Sequence, residues 1–291
     1  MLTTLSQLAL KYDAFILDLW GVIHDGHKLY PGVLESLDYL ASLNKSVLFM
    51  SNAPRPAGFI LEKLQELGVK VSEEMVLSSG DMVRYQLQHF NDATFSQLGR
   101  RFYHLGANRN SDLLAGLSVQ ITNNVDEANF ILSSAYIDPD ENIDEYDEIL
   151  EQALQHKLPF ICANPDKEVM NGDKIRYCSG VLAEKYKNWG GIVYYYGKPY
   201  LTIYDEAFKR LRANGIYHKN QMVMIGDTLE TDIAGSVTSN IDSALVLEGN
   251  TRILLEKAKV DNALQEPMTF LKNLFQSLNV RPTWILQRFL L

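Results

Sequence analysis

The chain has few of the features that would direct it to an oxidising compartment, a membrane or nucleic acid. Only two cysteines occur, Cys162 and Cys178, which are too few for a disulfide framework and favour a cytoplasmic location. The formal net charge of −9 argues against nucleic acid or an anionic membrane as partner. No run of about 18 apolar residues occurs. Residues 1–10 carry no basic residue before their apolar positions, so we expect no signal peptide.

Short apolar runs alternate with helical patterns along the chain, a rhythm that predicts a parallel sheet flanked by helices. The strand candidates are residues 14–17, 47–50, 76–78, 101–105, 130–134, 160–163, 192–196, 222–225 and 244–247, of which we expect the final one to be the last strand. The 291 residues suit roughly two domains. We therefore predict an α/β fold, in which a Rossmann-like parallel-sheet core (1–81 plus 191–291) carries an inserted α/β domain (82–190).

Two aspartates follow apolar strand candidates directly, Asp18 in the first half of the core and Asp227 in the second. In a parallel sheet both would emerge at the carboxyl edge, where α/β enzymes place their chemistry. Two carboxylates with phosphate and water oxygens form a natural octahedral Mg²⁺ site. Asp18 could then attack the phosphate as a nucleophile. Asp232, near the start of a helix, could support the metal through water.

Two further residues follow strand candidates and suit a phosphate group. A hydroxyl at Ser51, with the backbone N–H of Asn52, could hold a phosphate oxygen. Lys198 lies between Gly197 and Pro199, where its ammonium could offset the negative charge of acid and phosphate. Each of these residues alone would more often be an ordinary loop or surface residue, so the argument depends on their combination and order.

Taken together, these positions resemble the four ordered motifs of the haloacid dehalogenase (HAD) superfamily. The segments concerned are Asp18-Leu19-Trp20-Gly21-Val22, Ser51-Asn52, Gly197-Lys198-Pro199 and Gly226-Asp227-Thr228-Leu229-Glu230-Thr231-Asp232-Ile233. With Gly235 and residues 241–247, the last motif is similar to the branch that holds N-acetylglucosamine-phosphate, nitrophenylphosphate and pyridoxal-phosphate phosphatases. That branch carries a large α/β cap domain between the second and third motifs, and the gap from Ser51 to Lys198 has the right size.

The resemblance implies a hydrolase that acts on a small phosphorylated metabolite. Asp18 would be the nucleophile that forms an aspartyl intermediate, and Ser51 and Lys198 would hold the transferring group. The segment Asn164-Pro165-Asp166 resembles the cap loop that faces the substrate in this branch. We therefore expect Asn164 and Asp166 to bind substrate together with Asn52.

The resemblance also implies a magnesium site. Besides Asp18, the protein ligands of Mg²⁺ would be Asp227 and the backbone carbonyl of Trp20. Asp232 would support the ion through water. A carbonyl ligand does not depend on the side chain, so this role is compatible with tryptophan at position 20.

Trp20 departs from the pattern of the superfamily's phosphatases, which have aspartate at this position. That aspartate protonates the leaving oxygen and then activates water to hydrolyse the aspartyl phosphate. An indole N–H has no acid–base range near neutral pH, and general acid–base catalysis contributes roughly 10²–10⁴-fold in rate. We therefore expect impaired turnover of phosphomonoesters unless another group substitutes, and His24 and Asp25 are the nearest titratable candidates.

Two other interpretations remain open. The leaving group could need no acid, as in acyl phosphates, aryl phosphates or carbon–halogen bonds, although the branches without this aspartate have different caps, which counts against a dehalogenase. Alternatively, the chain could be a catalytically weak relative that binds a phosphorylated ligand. The retention of the nucleophile argues against full loss of activity, since a binding protein does not need one. At the end of the chain, residues 270–291 predict a helix and an arm that either pack on the core or form a homodimer contact.

Overall fold

The computed structural model describes residues 1–106, 108–138, 141–171, 174–260 and 267–291, and these residues form two compact units. The core unit comprises Met1–Ser51, Leu61–Leu77 and Lys198–Leu291, and the second unit comprises Asn52–Ile60 and Ser78–Gly197. Within the described ranges, no helix combines the length and the apolar character that crossing a membrane requires.

The sheet of the core unit has seven strands. They are β1 (Leu2–Thr3), β2 (Ala14–Leu17), β3 (Ser46–Ser51), β4 (Val76–Ser78), β13 (Met222–Gly226), β14 (Asp242–Val246) and β15 (Trp284–Leu286). Their order across the sheet is β1-β15-β14-β13-β2-β3-β4. The neighbouring strands β1 and β15, β15 and β14, β14 and β13, β13 and β2, and β2 and β3 all pair in parallel. The central strands β2 and β13 are buried along their whole length, as expected for a parallel sheet covered on both faces.

The second unit contains two sheets, whose strands are β5 (Arg101–Gly106), β6 (Gln120–Thr122), β7 (Phe130–Ser134), β8 (Tyr136–Ile137), β9 (Phe160–Cys162), β10 (Glu168–Asn171), β11 (Lys174–Cys178) and β12 (Val193–Tyr195). One sheet is parallel, in the order β12-β9-β7-β5-β6. The other is antiparallel, in the order β10-β11-β8.

The α-helices of the described residues connect these strands. They are α1 (Leu5–Lys11), α2 (Val33–Ser42), α3 (Ala57–Glu66), α4 (Ser79–His89), α5 (Asp147–Gln155), α6 (Ser179–Asn188), α7 (Leu201–Ala213), α8 (Ala234–Thr238), α9 (Gly249–Val260) and α10 (Pro267–Ser277). Helix α3 ends shortly before Gly68, whose φ of +88° lies in the left-handed region that glycine adopts readily.

The predicted α/β class with a parallel-sheet core is confirmed, and each strand predicted from the sequence is present. The prediction that residues 244–247 form the last strand is wrong, because β15 pairs with β14 and β1 lies outside β15. β1 and β15 have only two and three residues, too few to show a periodic pattern. The predicted domain limits at residues 82 and 190 stay a prediction.

The C-terminal helix and arm pack on the core unit, which is the first of the two arrangements predicted for them. On α10, Leu271 and Phe275 are buried against Leu229 and Ile233, which follow β13. Ile285 of β15 belongs to the same apolar cluster. The end of the chain is therefore part of the core-unit fold and lies against the segment that carries Asp232.

Candidate active site

Asp18 lies at the carboxyl end of β2, in the middle of the core-unit sheet. Its backbone N–H donates to the carbonyl of Ile225 on β13 over 2.9 Å. Asp227 follows β13 directly, and β13 pairs with β2 so that Ile225 lies opposite Leu17. Because neighbouring parallel strands end at the same edge, the two aspartates emerge side by side where α/β enzymes place reactive groups.

Asp232 completes a cluster of three buried carboxylates. Asp18, Asp227 and Asp232 each offer one oxygen atom, and these three atoms lie within 4.8 Å of one another. A π-helical turn, Leu229–Ile233, carries Asp232, whose Oδ2 accepts the backbone N–H groups of Asp227 and the next residue over 3.1 Å each. A side chain at Gly226 would overlap the Asp232 carboxylate, so this close approach requires glycine.

Lys198 supplies positive charge to the cluster. Its Nζ lies 2.5 Å from Asp18 Oδ1 and 2.8 Å from Asp232 Oδ1, and it donates to the carbonyl of Met50 over 3.3 Å. The contact with Asp232 has the distance of an ion pair without the angles of a hydrogen bond. The Lys198 side chain is only 3% exposed. One buried ammonium thus faces three buried carboxylates, which leaves surplus negative charge.

Ser51 joins this group from the next strand of the sheet. It is the last residue of β3, which pairs in parallel with β2, and it is buried. Its neighbour Met50 provides the carbonyl that Lys198 contacts. The structure therefore brings Asp18, Ser51 and Lys198 to one edge of one sheet, where the order of the motifs predicts them.

The surplus negative charge changes the titration of the acids. Burial and the charge of Asp232 raise the pKa of Asp18 well above its ordinary value, against the opposing effect of Lys198. Burial and Asp232 also raise the pKa of Asp227 to about 7. Carboxylates that are hard to ionise in isolation are stabilised in ionised form by a divalent cation, and hard cations prefer oxygen ligands. The donor atoms of the cluster therefore fit a hard divalent metal ion.

The first turn of α9, which follows β14 after two residues, holds Asp227 in place. The backbone N–H of Asn250 donates to Asp227 Oδ2 over 2.6 Å, and the Thr251 hydroxyl donates to the Asp227 carbonyl over 2.6 Å. The Thr228 hydroxyl donates to Oδ1 over 3.1 Å. Gly249, at φ +54°, leaves room for Oδ2, which a side chain there would overlap. Asn250 and Thr251 were not among the residues predicted from the sequence. The signal that could have found them is Gly249-Asn250-Thr251 shortly after an apolar strand, since the segment around Asp227, Gly226-Asp227-Thr228, has the same pattern.

Trp20 lies in the loop between β2 and α2 and packs within it. Its indole lies against Gly26, whose φ of +96° and lack of a side chain make room for the ring. The His24 ring meets the indole edge to face, with centroids 5.3 Å apart and an interplanar angle of 69°. The indole of Trp20 therefore helps to shape this loop, a role that is separate from the metal binding predicted for its backbone carbonyl.

His24 and Asp25 are the predicted substitutes for the missing acid, and both form hydrogen bonds inside this loop. The N–H of Gly26 donates to His24 Nδ1 over 3.0 Å, which places the proton of the neutral ring on Nε2. Burial lowers the pKa of His24 to about 4. Burial opposes ionisation of Asp25, but N–H groups of His27 and Lys28, 2.9 Å from Oδ1, produce a net lowering of its pKa. Neither group titrates near neutral pH.

The second unit brings together the three residues that the sequence predicts to bind substrate. Asn164 Oδ1 accepts the N–H of Asp166 over 3.0 Å, which forms an Asx turn around Pro165. Asn52 Nδ2 donates to Asp166 Oδ1 over 2.8 Å. Asn52 and Asn164 are buried. The three residues form one hydrogen-bonded group within this unit, and their contact with substrate stays a prediction.

Lys198→Met is expected to destabilise the metal-free protein by about 3 kcal/mol at pH 8, because removing one partner leaves buried carboxylates uncompensated. The loss should shrink at pH 5. Without the ammonium the pKa values of the folded acids rise further, so protonation relieves the charge as the pH falls. Urea denaturation with a chelator present measures both values.

The matched control for this variant is Lys209→Met. Lys209 also pairs with a carboxylate, that of Glu206, but its side chain is 79% exposed. Exposed pairs contribute about 0–1 kcal/mol. Equal losses for the two variants would contradict a special role for the buried ammonium.

Two family models match separate parts of the chain. Residues 15–120 match the haloacid dehalogenase-like hydrolases, and residues 195–274 match a second model described as HAD-hydrolase-like. The first range includes Asp18 and Ser51, and the second includes Lys198, Asp227 and Asp232. The three clustered carboxylates, together with Ser51 and Lys198, therefore fall inside the matched ranges.

The chain is also similar to curated phosphatases. It is 26% identical over 248 residues to an acid sugar phosphatase of Staphylococcus haemolyticus, covering 83% of this chain and 87% of the relative. It is 24% identical over 265 residues to a 4-nitrophenylphosphatase of Schizosaccharomyces pombe, covering 82% and 85% of the two chains. Both alignments thus span most of either protein.

A solved structure with this fold is also known. The crystal structure of a hydrolase of the haloacid dehalogenase-like family from Brucella suis matches with a TM-score of 0.80 and 27% identity, and the match covers 100% of both chains. The fold, the acidic cluster and both family models lead to the same family. This chain belongs to the haloacid dehalogenase-like hydrolases.

Proposed function

We propose that this hydrolase is a Mg²⁺-dependent phosphatase that cleaves a small phosphorylated metabolite through an aspartyl intermediate at Asp18. The observation that carries the proposal is the buried cluster at the sheet edge, where three carboxylates offer oxygens within 4.8 Å and Lys198 contacts Asp18. The similarity to an acid sugar phosphatase and a 4-nitrophenylphosphatase supports phosphate monoesters as the substrate class.

In the first step, a carboxylate oxygen of Asp18 would attack phosphorus, and the bond from phosphorus to the leaving oxygen would break. Lys198 Nζ, 2.5 Å from Asp18 Oδ1, would stabilise the negative charge of the transferring group. The hydroxyl of Ser51 and the N–H of Asn52 would hold a phosphoryl oxygen. Water would then hydrolyse the aspartyl phosphate, which releases inorganic phosphate and restores the Asp18 carboxylate.

Magnesium would be held by Asp18, Asp227 and the backbone carbonyl of Trp20. The ion would supply charge neutralisation at the phosphoryl oxygens. Asp232 suits an indirect role through water, because Oδ2 already accepts two backbone N–H groups and Oδ1 lies against Lys198. Since the pKa of Asp227 is about 7 without metal, protons should compete with the ion near neutral pH.

Trp20 constrains the leaving group. No carboxylate stands two residues after the nucleophile, and the neighbouring His24 is neutral at pH 7 with its Nδ1 engaged by Gly26. Aryl and acyl phosphates release anions that need little protonation, whereas alkyl and sugar phosphates need an acid. The site therefore favours aryl phosphates among the monoesters, and it also favours acyl phosphates, which are mixed anhydrides. The lack of a general acid at position 20 also favours the second candidate function, a weakly active relative that binds a phosphorylated ligand.

A substrate panel separates the two functions. Phosphate release from 4-nitrophenyl phosphate, an acyl phosphate and several sugar phosphates is measured with Mg²⁺ and with chelator. The proposal expects metal-dependent release that is fastest for the first two substrates. If no member of the panel is turned over in an Asp18-dependent manner, while a phosphorylated compound raises the melting temperature, the chain is a binding protein for that class.

A further inference from the structure

The carboxyl-terminal arm, residues 282–291, extends from the sheet to the segment between β14 and α9, next to the helical turn that holds Asp227. Its strand β15 pairs in parallel with β14, and the N–H of Leu247 donates to the Leu286 carbonyl over 3.0 Å. Ile285, Leu286 and Phe289 are buried. The arm is therefore packed into the core unit, and it is bonded to the residue that opens the loop after β14.

An ion pair makes a second connection between the arm and this loop. Arg288 Nε lies 2.5 Å from Glu248 Oε1, and the Glu248 side chain is only 8% exposed. Arg252 also faces Glu248, but its Nη1 is 3.5 Å from Oε2. A buried carboxylate depends strongly on its close partner, because an uncompensated buried charge is unfavourable. Arg288 is the closer of these two partners.

Glu248 immediately precedes the residues that bind Asp227. Gly249 packs against Asp227 Oδ2, and the next two residues donate hydrogen bonds to Asp227. Asp227 and Glu248 both lie near the Tyr30 phenol. Burial first, and then the negative charges of these two acids, raise the pKa of Tyr30 to about 12. A displacement of Glu248 would therefore reach the Asp227 carboxylate through one short stretch of backbone.

We infer that Arg288 is a positioning residue for the metal site, acting through Glu248 and the first turn of α9 on Asp227. The inference rests on the metal site of the proposed function. Arg288 keeps Glu248 in place, so that the N–H of Asn250 stays 2.6 Å from Asp227 Oδ2 and fixes the direction of the other lone pairs. Hydrogen-bonding partners outside the ligand set typically change metal affinity by about 10–100-fold.

The test is a Mg²⁺ titration of the full-length protein without substrate, in which the melting temperature is followed as the ion is added. Arg288→Ala should raise the Mg²⁺ concentration at half-saturation about tenfold, the lower end of the range for such partners. Arg288→Lys, which keeps a positive charge, should recover most of the affinity. Arg281→Ala is the matched control, since Arg281 is an exposed arginine near the same arm that forms no ion pair with the described residues; it should titrate like the wild type.

A double variant tests whether the effect travels through Glu248. Adding Glu248→Gln to Arg288→Ala removes the carboxylate charge that has lost its closer partner, so the half-saturation point should return towards that of the wild type. The inference is overturned if Arg288→Ala titrates like the wild type, or if Arg281→Ala shifts the titration equally. If the wild type itself shows no Mg²⁺-dependent shift, the proposed metal site fails, and that result is distinct from a failure of the arm alone.

Discussion

Asp18→Asn is expected to reduce kcat by at least about 10³-fold on every phosphorylated substrate, because an amide cannot attack phosphorus or carry the phosphoryl group. The comparison is made on the substrate that the wild type cleaves fastest, with Mg²⁺ at saturation. Asp13→Asn is the matched control. Asp13 precedes the same strand at its other end, is exposed, and pairs with Lys45. Its variant should keep activity within about twofold.

The same substitution should stabilise the metal-free protein at pH 8. Burial raises the pKa of Asp18 above the value that this carboxyl has in the unfolded chain. The protonated carboxyl therefore contributes to the free energy of unfolding, and this contribution is lost as the pH rises through the pKa of the folded state. A neutral amide avoids this loss. The gain should disappear at pH 4, where the folded carboxyl is protonated.

Urea denaturation with chelator at the two pH values measures this effect. Asp18→Asn and Lys198→Met should then have opposite signs at pH 8, one removing an excess negative charge and the other the ammonium that offsets it. A loss of stability in Asp18→Asn at pH 8 would contradict the surplus of negative charge. Retained turnover in a correctly folded variant would contradict the role of Asp18 as nucleophile.

The site residues that the sequence predicts share a simple physical origin. Asp18, Ser51 and Asp227 each follow an apolar run long enough to be recognised as a strand. Parallel strands then bring their ends to one edge without further information. Lys198 needed the order of the motifs, because a lysine after a strand is by itself an ordinary surface residue.

The supporting residues could not be predicted in this way. Asn250 acts on Asp227 through a backbone N–H, which any residue except proline could donate. Glu248 and Arg288 are separated by 40 positions, and their pairing depends on β15, a strand of three residues. His24 lies in the loop between β2 and α2, yet its ring is buried and its pKa is about 4. Burial of single loop residues depends on tertiary packing, which local patterns do not reveal.

Trp20→Asp is expected to raise kcat on sugar phosphates by about 10²-fold or more, within the usual range for a general acid–base group. The new carboxyl would stand two residues after the nucleophile, where the superfamily's phosphatases hold their proton donor. Trp20→Asn is the matched control. Asparagine has nearly the same shape as aspartate, so this variant removes the indole without supplying an acid. Its turnover should stay at the wild-type level or below.

Loss of the indole should also lower stability, since the ring packs on Gly26 and on the edge of His24. A loss of about 2 kcal/mol is expected for removing a large, partly buried side chain. Both position-20 variants carry this loss, so comparing them isolates the acid. Rates should be measured well below the lowered melting temperature of the variants.

The substrate dependence of the gain identifies the step that the missing acid limits. Protonation of the leaving oxygen concerns only the first step, and it matters for sugar phosphates much more than for 4-nitrophenyl phosphate. Activation of water concerns the second step, which is common to all substrates because the aspartyl phosphate is the same. A gain confined to sugar phosphates therefore assigns the deficit to the leaving group. An equal gain on both substrates assigns it to hydrolysis of the intermediate. Unchanged rates on both, in a folded variant, would contradict the view that Trp20 limits catalysis.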